Sequence, residues 1–251
     1  MNNHDDFDKS SAYALYVSQE HSCSYLQETM ARTLFLDPAA KVDADLYQQL
    51  IDRGFRRSGG YLYQPACAQC EACVSLRLPA GEFQPDRSQR RNWRRNRQRI
   101  SVIPRPAQYQ PEHFDLYCRY QADRHADGAM ACSDPRQYMG FLTCDWADTR
   151  FFEFRREGEL LAVAVTDLLP RGLSSIYTFF DPASGRDGLG VFALLWQIHH
   201  AAELGKPWVY PGFWIAGSAK MSYKSRYRPL EAWTGQTWRR FGTHEPLVGE
   251  V

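Results

Sequence analysis

The sequence predicts an α+β fold with a mixed, mainly antiparallel sheet flanked by helices, and three observations lead to it. Beyond residue 111 the predicted order is two helices, three consecutive strands, a helix and a further strand, which is typical of such a sheet. Apolar residues make up 44% of the 251 residues, enough for a sizeable core. The proline-rich stretch VIPRPAQYQP interrupts the pattern and indicates a connection. We therefore expect a small cysteine-containing α/β domain over residues 1–100 and a larger one over 101–251.

The smaller domain is predicted to hold one helix, Asp43 to Arg53, in which apolar residues recur at helical spacing and which Gly54 ends. Two strand-like pieces, GFRRSGGYLYQPAC and CVSLRLPAGEF, then flank a turn in a hairpin-like excursion, and a second helix begins near Ser88. In the larger domain we expect helices over 112–125, 134–142 and 191–204, and strands over 151–156, 160–168, 174–180, 208–210 and 231–240.

The overall charge excludes a strong long-range attraction to nucleic acid or membrane, because the formal net charge is only +1. The first residues, MNNHDDFDKSSAYALY, contain no apolar core of a signal peptide, and nowhere do eighteen apolar residues run together. These features predict a soluble cytoplasmic protein with no membrane partner. Any basic surface must be local.

A local basic surface is predicted on the second helix. The stretch SQRRNWRRNRQR, with Arg87 before it, contains seven arginines and no acid. At helical spacing five of them form one stripe: Arg87, Arg90, Arg91, Arg94 and Arg95. Their mutual repulsion is tolerable where a polyanion lies across them, so the stripe indicates phosphate binding, with a solvated basic face as the alternative.

Two further segments contain residues suited to binding. PACAQCEAC has three cysteines at CxxCxxC spacing, which could hold a metal or cluster or could be three free thiols in a turn. WVYPGFWIAGSAKMSYKSRYRPLEAW mixes aromatic residues with Lys220, Lys224, Arg226 and Arg228. Stacking planes beside cations suit a nucleotide end or an acidic peptide, whereas an aromatic core with surface cations is the structural alternative.

Several motifs together resemble the arginyl-tRNA–protein transferase family, in particular its bacterial leucyl-transferring branch. They are CSYL at Cys23, ARTLF, GFRRSGGYLYQPAC, CxxCxAC, the arginine helix, LLAVAVTDLLP, SIYTFFDP and KMSYKSRYRPLEAW, in order along almost the entire chain. The resemblance implies an enzyme that moves an amino acid, here leucine from leucyl-tRNA, onto proteins that begin with Asp or Glu. Such proteins then enter N-end rule degradation through an adaptor and a protease. It also implies an acyltransferase fold of the GNAT type for the C-terminal half.

The resemblance has one departure, in the cysteines. Eukaryotic relatives carry CxxC at the first cysteine position and a CC pair later, and they bind an iron–sulfur cluster, whereas this chain has Leu26 in place of the second thiol. Four thiols are available as ligands of zinc or of a cluster: Cys23, Cys67, Cys70 and Cys73. The transfer reaction itself requires no cofactor.

We predict roles for individual residues on the assumption that a protein α-amine attacks the aminoacyl ester. Asp167, at the end of a strand, would orient or deprotonate the amine, with Tyr177 and Lys220 as further catalytic residues. Cations for the acidic side chain of the acceptor would be Arg56 and Arg57, beside Tyr61. Charged tRNA would contact the arginine stripe together with Lys224 and Arg226.

Three alternative functions stay open at this point. They are arginyl transfer by the same family, a CoA-dependent N-acetyltransferase, and a non-catalytic zinc-containing RNA-binding module. The glycines at 185, 188 and 190 do not match the spacing of a CoA loop, and the third alternative leaves the large C-terminal domain without a role.

Overall fold

The N-terminal part forms a four-stranded sheet, a short two-stranded one and a helix. The computed structural model describes residues 13–124, 134–218, 220–243 and 245–247. Strands β1, β4, β6 and β5 form the first sheet in that order, and β2 pairs with β3. Their bounds are β1 Leu15–Val17, β2 His21–Ser22, β3 Met30–Ala31, β4 Thr33–Leu36, α1 Ala44–Ile51, β5 Arg56–Ser58 and β6 Tyr61–Pro65. Helix α1 begins where Asp43 accepts a hydrogen bond from the backbone of Leu46 at 2.8 Å.

An eight-stranded sheet forms the centre of the molecule. Its order is β14, β13, β7, β12, β11, β10, β9, β8, and every neighbouring pair is antiparallel except β11 with β12. The strands are β7 Cys73–Pro79, β8 Ser101–Pro106, β9 Thr149–Arg156, β10 Glu159–Leu169, β11 Gly172–Phe180, β12 Trp208–Ile215, β13 Leu230–Trp233 and β14 Trp238–Phe241. The α+β architecture with a mixed, mainly antiparallel sheet is thus confirmed.

Helices cover both faces of this sheet, which is why β10 is apolar and buried along nearly its whole length. The helices are α2 Arg87–Asn96, α3 Pro111–Arg124, α4 Pro135–Leu142 and α5 Leu189–Glu203. On one face α5 packs Leu194, Leu195 and Ile198 onto β7, β11 and β12. On the other face α3 and α4 pack onto β9, β10 and β11, and α1 packs beside them onto Leu169 and Tyr210.

The parallel neighbours β11 and β12 pair over only three residues. Gly172, Leu173 and Ser174 are in register with Trp208, Val209 and Tyr210, and no pairing continues beyond them in either strand. An irregularity in β12 lies between Val209 and Gly212, where the strand bends. The two strands therefore separate in the middle of the sheet, and the facing backbone groups of β12 need partners from elsewhere.

Three predictions, about a connection, a hairpin and the last strand, are wrong. Residues 102–106, predicted as part of a connection, belong to β8, because an edge strand tolerates prolines whose missing N–H would face away from the sheet. The cysteine turn does not close a hairpin, since β6 and β7 belong to different sheets. The last predicted strand is two strands, β13 and β14, which pair with each other.

Strand β7 belongs to the first predicted domain but lies inside the central sheet, between β13 and β12. The two parts of the chain therefore interlock through β7, and a division at residue 100 stays a prediction. Within the described residues no helix has the length and the apolar content to cross a membrane.

Candidate active site

A buried ion pair joins the N-terminal part to the central sheet. Arg57, on β5, donates from Nε and Nη2 to the two carboxylate oxygens of Asp167, on β10, each at 2.7 Å. Tyr47 and Thr149 donate hydroxyl hydrogens to the same carboxylate at 2.9 Å and 2.7 Å. Asp167 is 0% exposed. Its four hydrogen bonds occupy the lone pairs that a substrate amine would need.

The remaining Arg57 donors also have partners inside the protein. Nη1 donates to the carbonyl of Gly59 at 3.0 Å, and Nη2 also donates to that of Leu142 at 3.0 Å. Burial opposes the charge of Arg57, but the hydrogen bonds and charge of Asp167 prevail and raise its pKa. We therefore assign this pair to holding β5 against β10. The geometry argues against Asp167 as the base and against Arg57 as a ligand of the acceptor.

Arg56, the preceding residue, is buried, and no carboxylate among the described residues pairs with it. Its Nη2 donates to the carbonyl of Leu76 at 2.7 Å and lies 3.5 Å from that of Gly212. Its Nε and Nη1 are buried and have no hydrogen-bond partner among the described residues. Burial lowers the pKa of Arg56 to about 10, against a smaller opposing effect of nearby tyrosines. A buried guanidinium with two unused donors has the chemistry to bind an anion.

Lys224 lies beside Arg56 and is also buried. The prediction of a surface tRNA contact does not fit this position, because Lys224 is 6% exposed. The short 3-10 turn Ser222–Arg226 directs its amine onto β12, where Nζ donates to the carbonyl of Phe213 at 2.6 Å and contacts Met221 Sδ at 3.2 Å. Burial, and then the charge of Arg56, lower the pKa of Lys224 to about 7. The side chains of Arg56 and Lys224 thus converge on residues 212–213.

Tyr63 is an aromatic neighbour of Arg56, in the position that the sequence predicts for Tyr61. Tyr63 is directly opposite Arg56 in the pairing of β5 with β6, whereas Tyr61 is opposite Ser58 and is 56% exposed. Burial raises the pKa of Tyr63 to about 12, while the charge of Arg56 opposes the rise. The sequence contained the signal for Tyr63, since strand alternation places residues two apart on the same face.

The other predicted catalytic residues lie on different elements. Tyr177, on β11, accepts a hydrogen bond from Gln121 Nε2 at 3.1 Å and packs against Phe141 and Tyr120. Burial raises the pKa of Tyr177, so its hydroxyl is a donor and not a base near neutral pH. Lys220 is exposed in the turn that follows β12.

Three of the predicted cysteine ligands, Cys23, Cys67 and Cys70, lie near the fourth, Cys73, at the start of β7. Burial raises the pKa of Cys73 to about 12, and the thiols of Cys23, Cys67 and Cys70 add to the effect. Their donor chemistry fits zinc or an iron–sulfur cluster. In the described part of the chain, however, no three His, Cys, Asp or Glu side chains are arranged to hold a metal ion. Binding would require the thiols to draw together and lose protons.

The arginine stripe is on the surface, as its spacing predicts. All five of its members are exposed: Arg87, Arg90, Arg91, Arg94 and Arg95. The opposite face of α2 is anchored, because Asn92 and Asn96 each donate to the carbonyl of Asp187 in the loop before α5, at 2.9 Å and 2.8 Å. A surface cavity of about 490 Å³ continues the stripe toward Arg226 and Arg228. The stripe and the turn containing Lys224 thus form one continuous surface.

Reversing two charges of this stripe should weaken tRNA binding and reduce its dependence on salt. For Arg90→Glu with Arg94→Glu we expect the slope of log K against log salt to become shallower by roughly 1 to 2, because about two phosphate contacts are lost. Filter binding over a salt series measures the slope. The matched control reverses the charges of Arg53 and Arg136, which are exposed in other parts of the structure. An unchanged slope in the stripe variant would exclude α2 from the tRNA interface.

Comparison with known proteins identifies the family. Residues 21–91 match the family described as "Arginine-tRNA-protein transferase, N terminus", and residues 112–234 match "Arginine-tRNA-protein transferase, C terminus". The chain belongs to the arginine-tRNA-protein transferase family. The resemblance noted in the sequence is confirmed. The N-terminal family region extends through β7 into α2, and the C-terminal region extends from α3 to the end of β13.

Bacterial members of the family are similar over most of the chain. "Aspartate/glutamate leucyltransferase" of Pseudomonas fluorescens (strain SBW25) is 49% identical over 223 residues, 89% of this chain and 94% of that protein. The protein of the same name from Hahella chejuensis is 48% identical and 95% covered. Among solved structures, L-PGS from Bacillus licheniformis has a TM-score of 0.46 and 10% identity, over 61% of this chain and 49% of that one. That structural likeness is too distant to bear on fold or function.

Proposed function

We propose that this member of the arginine-tRNA-protein transferase family moves leucine from leucyl-tRNA to the N-terminal α-amine of proteins that begin with Asp or Glu. Family membership makes the chain an aminoacyltransferase. The choice of leucine and of acidic acceptors follows the name shared by relatives about 49% identical over 89% of the chain. The product would carry an N-terminal leucine and be a substrate of N-end rule degradation.

Arg56 is the observation that carries the proposal. Its unused donors, Nε and Nη1, are buried, and a carboxylate beside them would accept the hydrogen bonds that they lack. The hydroxyl of Ser75, next to Leu76 on β7, is likewise buried and without a partner among the described residues. Because Arg56 is positively charged and two of its buried donors have no partner among the described residues, an acidic side chain of the acceptor is the natural occupant. Asn and Gln side chains carry no charge to match it.

The chemistry that follows is aminolysis of an ester. An N-terminal amine has a pKa of about 7.7 to 8.0, so part of it is neutral and nucleophilic near pH 7.5. Holding this amine and the aminoacyl ester together supplies several kcal/mol of the barrier reduction. Arg56 would place the acceptor through its side chain, and thereby fix its α-amine. The carboxylate of Asp167 orders β10 and β5 around this site without touching the substrate.

The aminoacyl end of the tRNA fits best in the opening between β11 and β12. A pair of parallel strands that separates in mid-sheet supports the GNAT-type fold that we propose for the C-terminal part. One side of the opening is β12 with Lys224, and the other is β11 with Tyr177. The tRNA body would lie across the arginine stripe of α2 and reach the opening past Arg226.

The cysteine group would have a structural role near the acceptor site. Tyr63 is close to both, since it is directly opposite Arg56 on the neighbouring strand and the Cys73 thiol contributes to its raised pKa. Zinc or an iron–sulfur cluster on Cys23, Cys67, Cys70 and Cys73 would fix the loop between β6 and β7. We assign it no step of the reaction. The cytoplasmic location expected from the sequence stays a prediction.

Transfer assays with charged tRNA test the function directly. We expect label from leucyl-tRNA, and not from arginyl-tRNA, to appear on peptides that begin with Asp or Glu. Peptides that begin with Lys or Ala should receive at least about 100-fold less, since a charged hydrogen bond left unpaired in a buried site costs roughly 2 to 5 kcal/mol. Transfer of arginine in place of leucine would show that the chain is an arginyltransferase. Labelling of all peptides alike would remove the acceptor proposal.

A further inference from the structure

We propose that Lys224 is the proton acceptor for the attacking α-amine and that an acidic acceptor residue, by pairing with Arg56, increases the basicity of Lys224. The inference rests on the proposed function. Binding of the correct acceptor at Arg56 would then also increase the catalytic activity of its neighbour Lys224.

The geometry places the two side chains on the same stretch of backbone. Lys224 Nζ donates to the carbonyl of Phe213, and a Cβ added at Gly212 would meet this nitrogen at 3.4 Å. Arg56 reaches the same residues, since Nη2 lies 3.5 Å from the carbonyl of Gly212 and the guanidinium carbon lies 5.9 Å from the Phe213 ring centroid. A substrate held by Arg56 is therefore next to Lys224.

The hydrogen bonds of Lys224 fit a neutral amine. An ammonium group has three donors and no acceptor, whereas a neutral amine has two hydrogens and one lone pair. Two contacts are present, to Phe213 O at 2.6 Å and to Met221 Sδ at 3.2 Å. Within the described residues the charge that acts on Lys224 is that of Arg56, and no carboxylate offsets it. Two hydrogens are thus used and the lone pair stays available.

The charges around Lys224 favour the same state. The groups facing it are Arg56, from β5, and the ring of Tyr223 in its own turn, with Nζ 5.8 Å from the ring centroid. Burial and the positive charge of Arg56 lower the pKa of Lys224 to about 7. When a substrate carboxylate neutralises Arg56, that second effect weakens and the pKa of Lys224 rises. The amine becomes a stronger base when an acidic residue is bound.

The proton and electron pairs balance without another reactant. The lone pair of the substrate amine forms a bond to the ester carbonyl carbon, and Lys224 Nζ accepts the proton that this nitrogen loses. The carbonyl re-forms as the bond to the ribose oxygen breaks. Lys224 then returns the proton to that oxygen, so that the tRNA leaves with a free hydroxyl and Lys224 is again neutral.

The pH dependence of transfer to an Asp peptide at saturating leucyl-tRNA tests this role. In wild type two groups must lose protons, Lys224 and the peptide amine, so log kcat/KM should rise with a slope of about 2 below pH 6.5. In Lys224→Met, which keeps the length and apolar character of the side chain, we expect a slope of about 1. We expect kcat to fall by roughly 10² to 10⁴ and KM to change by less than about threefold.

Lys224→Arg separates proton transfer from a simple cationic role. Arginine keeps a positive charge and cannot give up its proton, so we expect it to be as inactive as Lys224→Met. Near wild-type activity in Lys224→Arg, or a slope of about 1 in wild type, would overturn the role of Lys224 while leaving the proposed function in place. Absence of transfer by wild type would overturn the proposed function and this role together. Thermal melts of both variants verify that they are folded.

Discussion

Replacing Asp167 with alanine is expected to lower the free energy of unfolding by about 3–5 kcal/mol, because it leaves the Arg57 guanidinium buried and without its partner. Four hydrogen bonds end on this carboxylate, from Arg57, Tyr47 and Thr149, and its side chain is 1% exposed. Urea unfolding followed by tryptophan fluorescence measures the change.

A surface ion pair supplies the matched control. Asp148 pairs with Arg150 at 2.9 Å, but their side chains are 51% and 43% exposed. Asp148→Ala should therefore cost less than about 1 kcal/mol. Asp167→Asn distinguishes support of the fold from base catalysis, because folded Asp167→Asn should keep kcat within a few-fold. A loss of 10² or more in kcat with an unchanged free energy of unfolding would restore Asp167 as the base.

Replacing Arg56 with glutamine is expected to lower kcat/KM for an Asp peptide by roughly 10² to 10³. The loss corresponds to about 2–5 kcal/mol, the usual cost of removing one partner of a buried charged pair. The effect should lie mainly in KM, because Arg56 binds the acceptor side chain and not the reacting atoms. Steady-state kinetics with Asp and Glu peptides measure it.

Arg53→Gln is the control for Arg56, since Arg53 is exposed and lies three positions earlier in the chain. It should leave kcat/KM unchanged within twofold. Tyr61→Phe should also be neutral, whereas Tyr63→Phe should affect acceptor binding because Tyr63 is opposite Arg56. Equal losses in Arg53→Gln and Arg56→Gln would indicate a general effect of charge and not a specific site.

Local sequence patterns predicted the features that depend on residues close together in the chain. The stripe of five arginines follows from helical spacing, and the structure exposes all five. Helix α2 begins at Arg87 because Asp86 and Gln89 form a reciprocal cap, close to the predicted start at Ser88. The α+β class and most helices and strands follow from apolar periodicity in the same way.

Features that depend on contacts between residues far apart in the sequence could not be predicted from local patterns. Arg56 and Arg57 are adjacent, and nothing in FRRSG indicates that Arg57 pairs with Asp167, 110 positions away. Lys224 looks like one of several surface cations, and it is buried only because its turn folds onto the irregular part of β12. The place of β7 inside the central sheet has the same origin, since strand pairing is non-local.

The ratio of kcat/KM for a peptide beginning with Asp to that for the same peptide beginning with Asn tests the central claim most directly. The two side chains have nearly the same shape and differ in charge, so the ratio isolates the contribution of the cation. We predict a ratio of about 100 or more in wild type and in Arg53→Gln, and a ratio below about 5 in Arg56→Gln. A ratio that stays near the wild-type value in folded Arg56→Gln would contradict the assignment of Arg56 as the acceptor-binding residue.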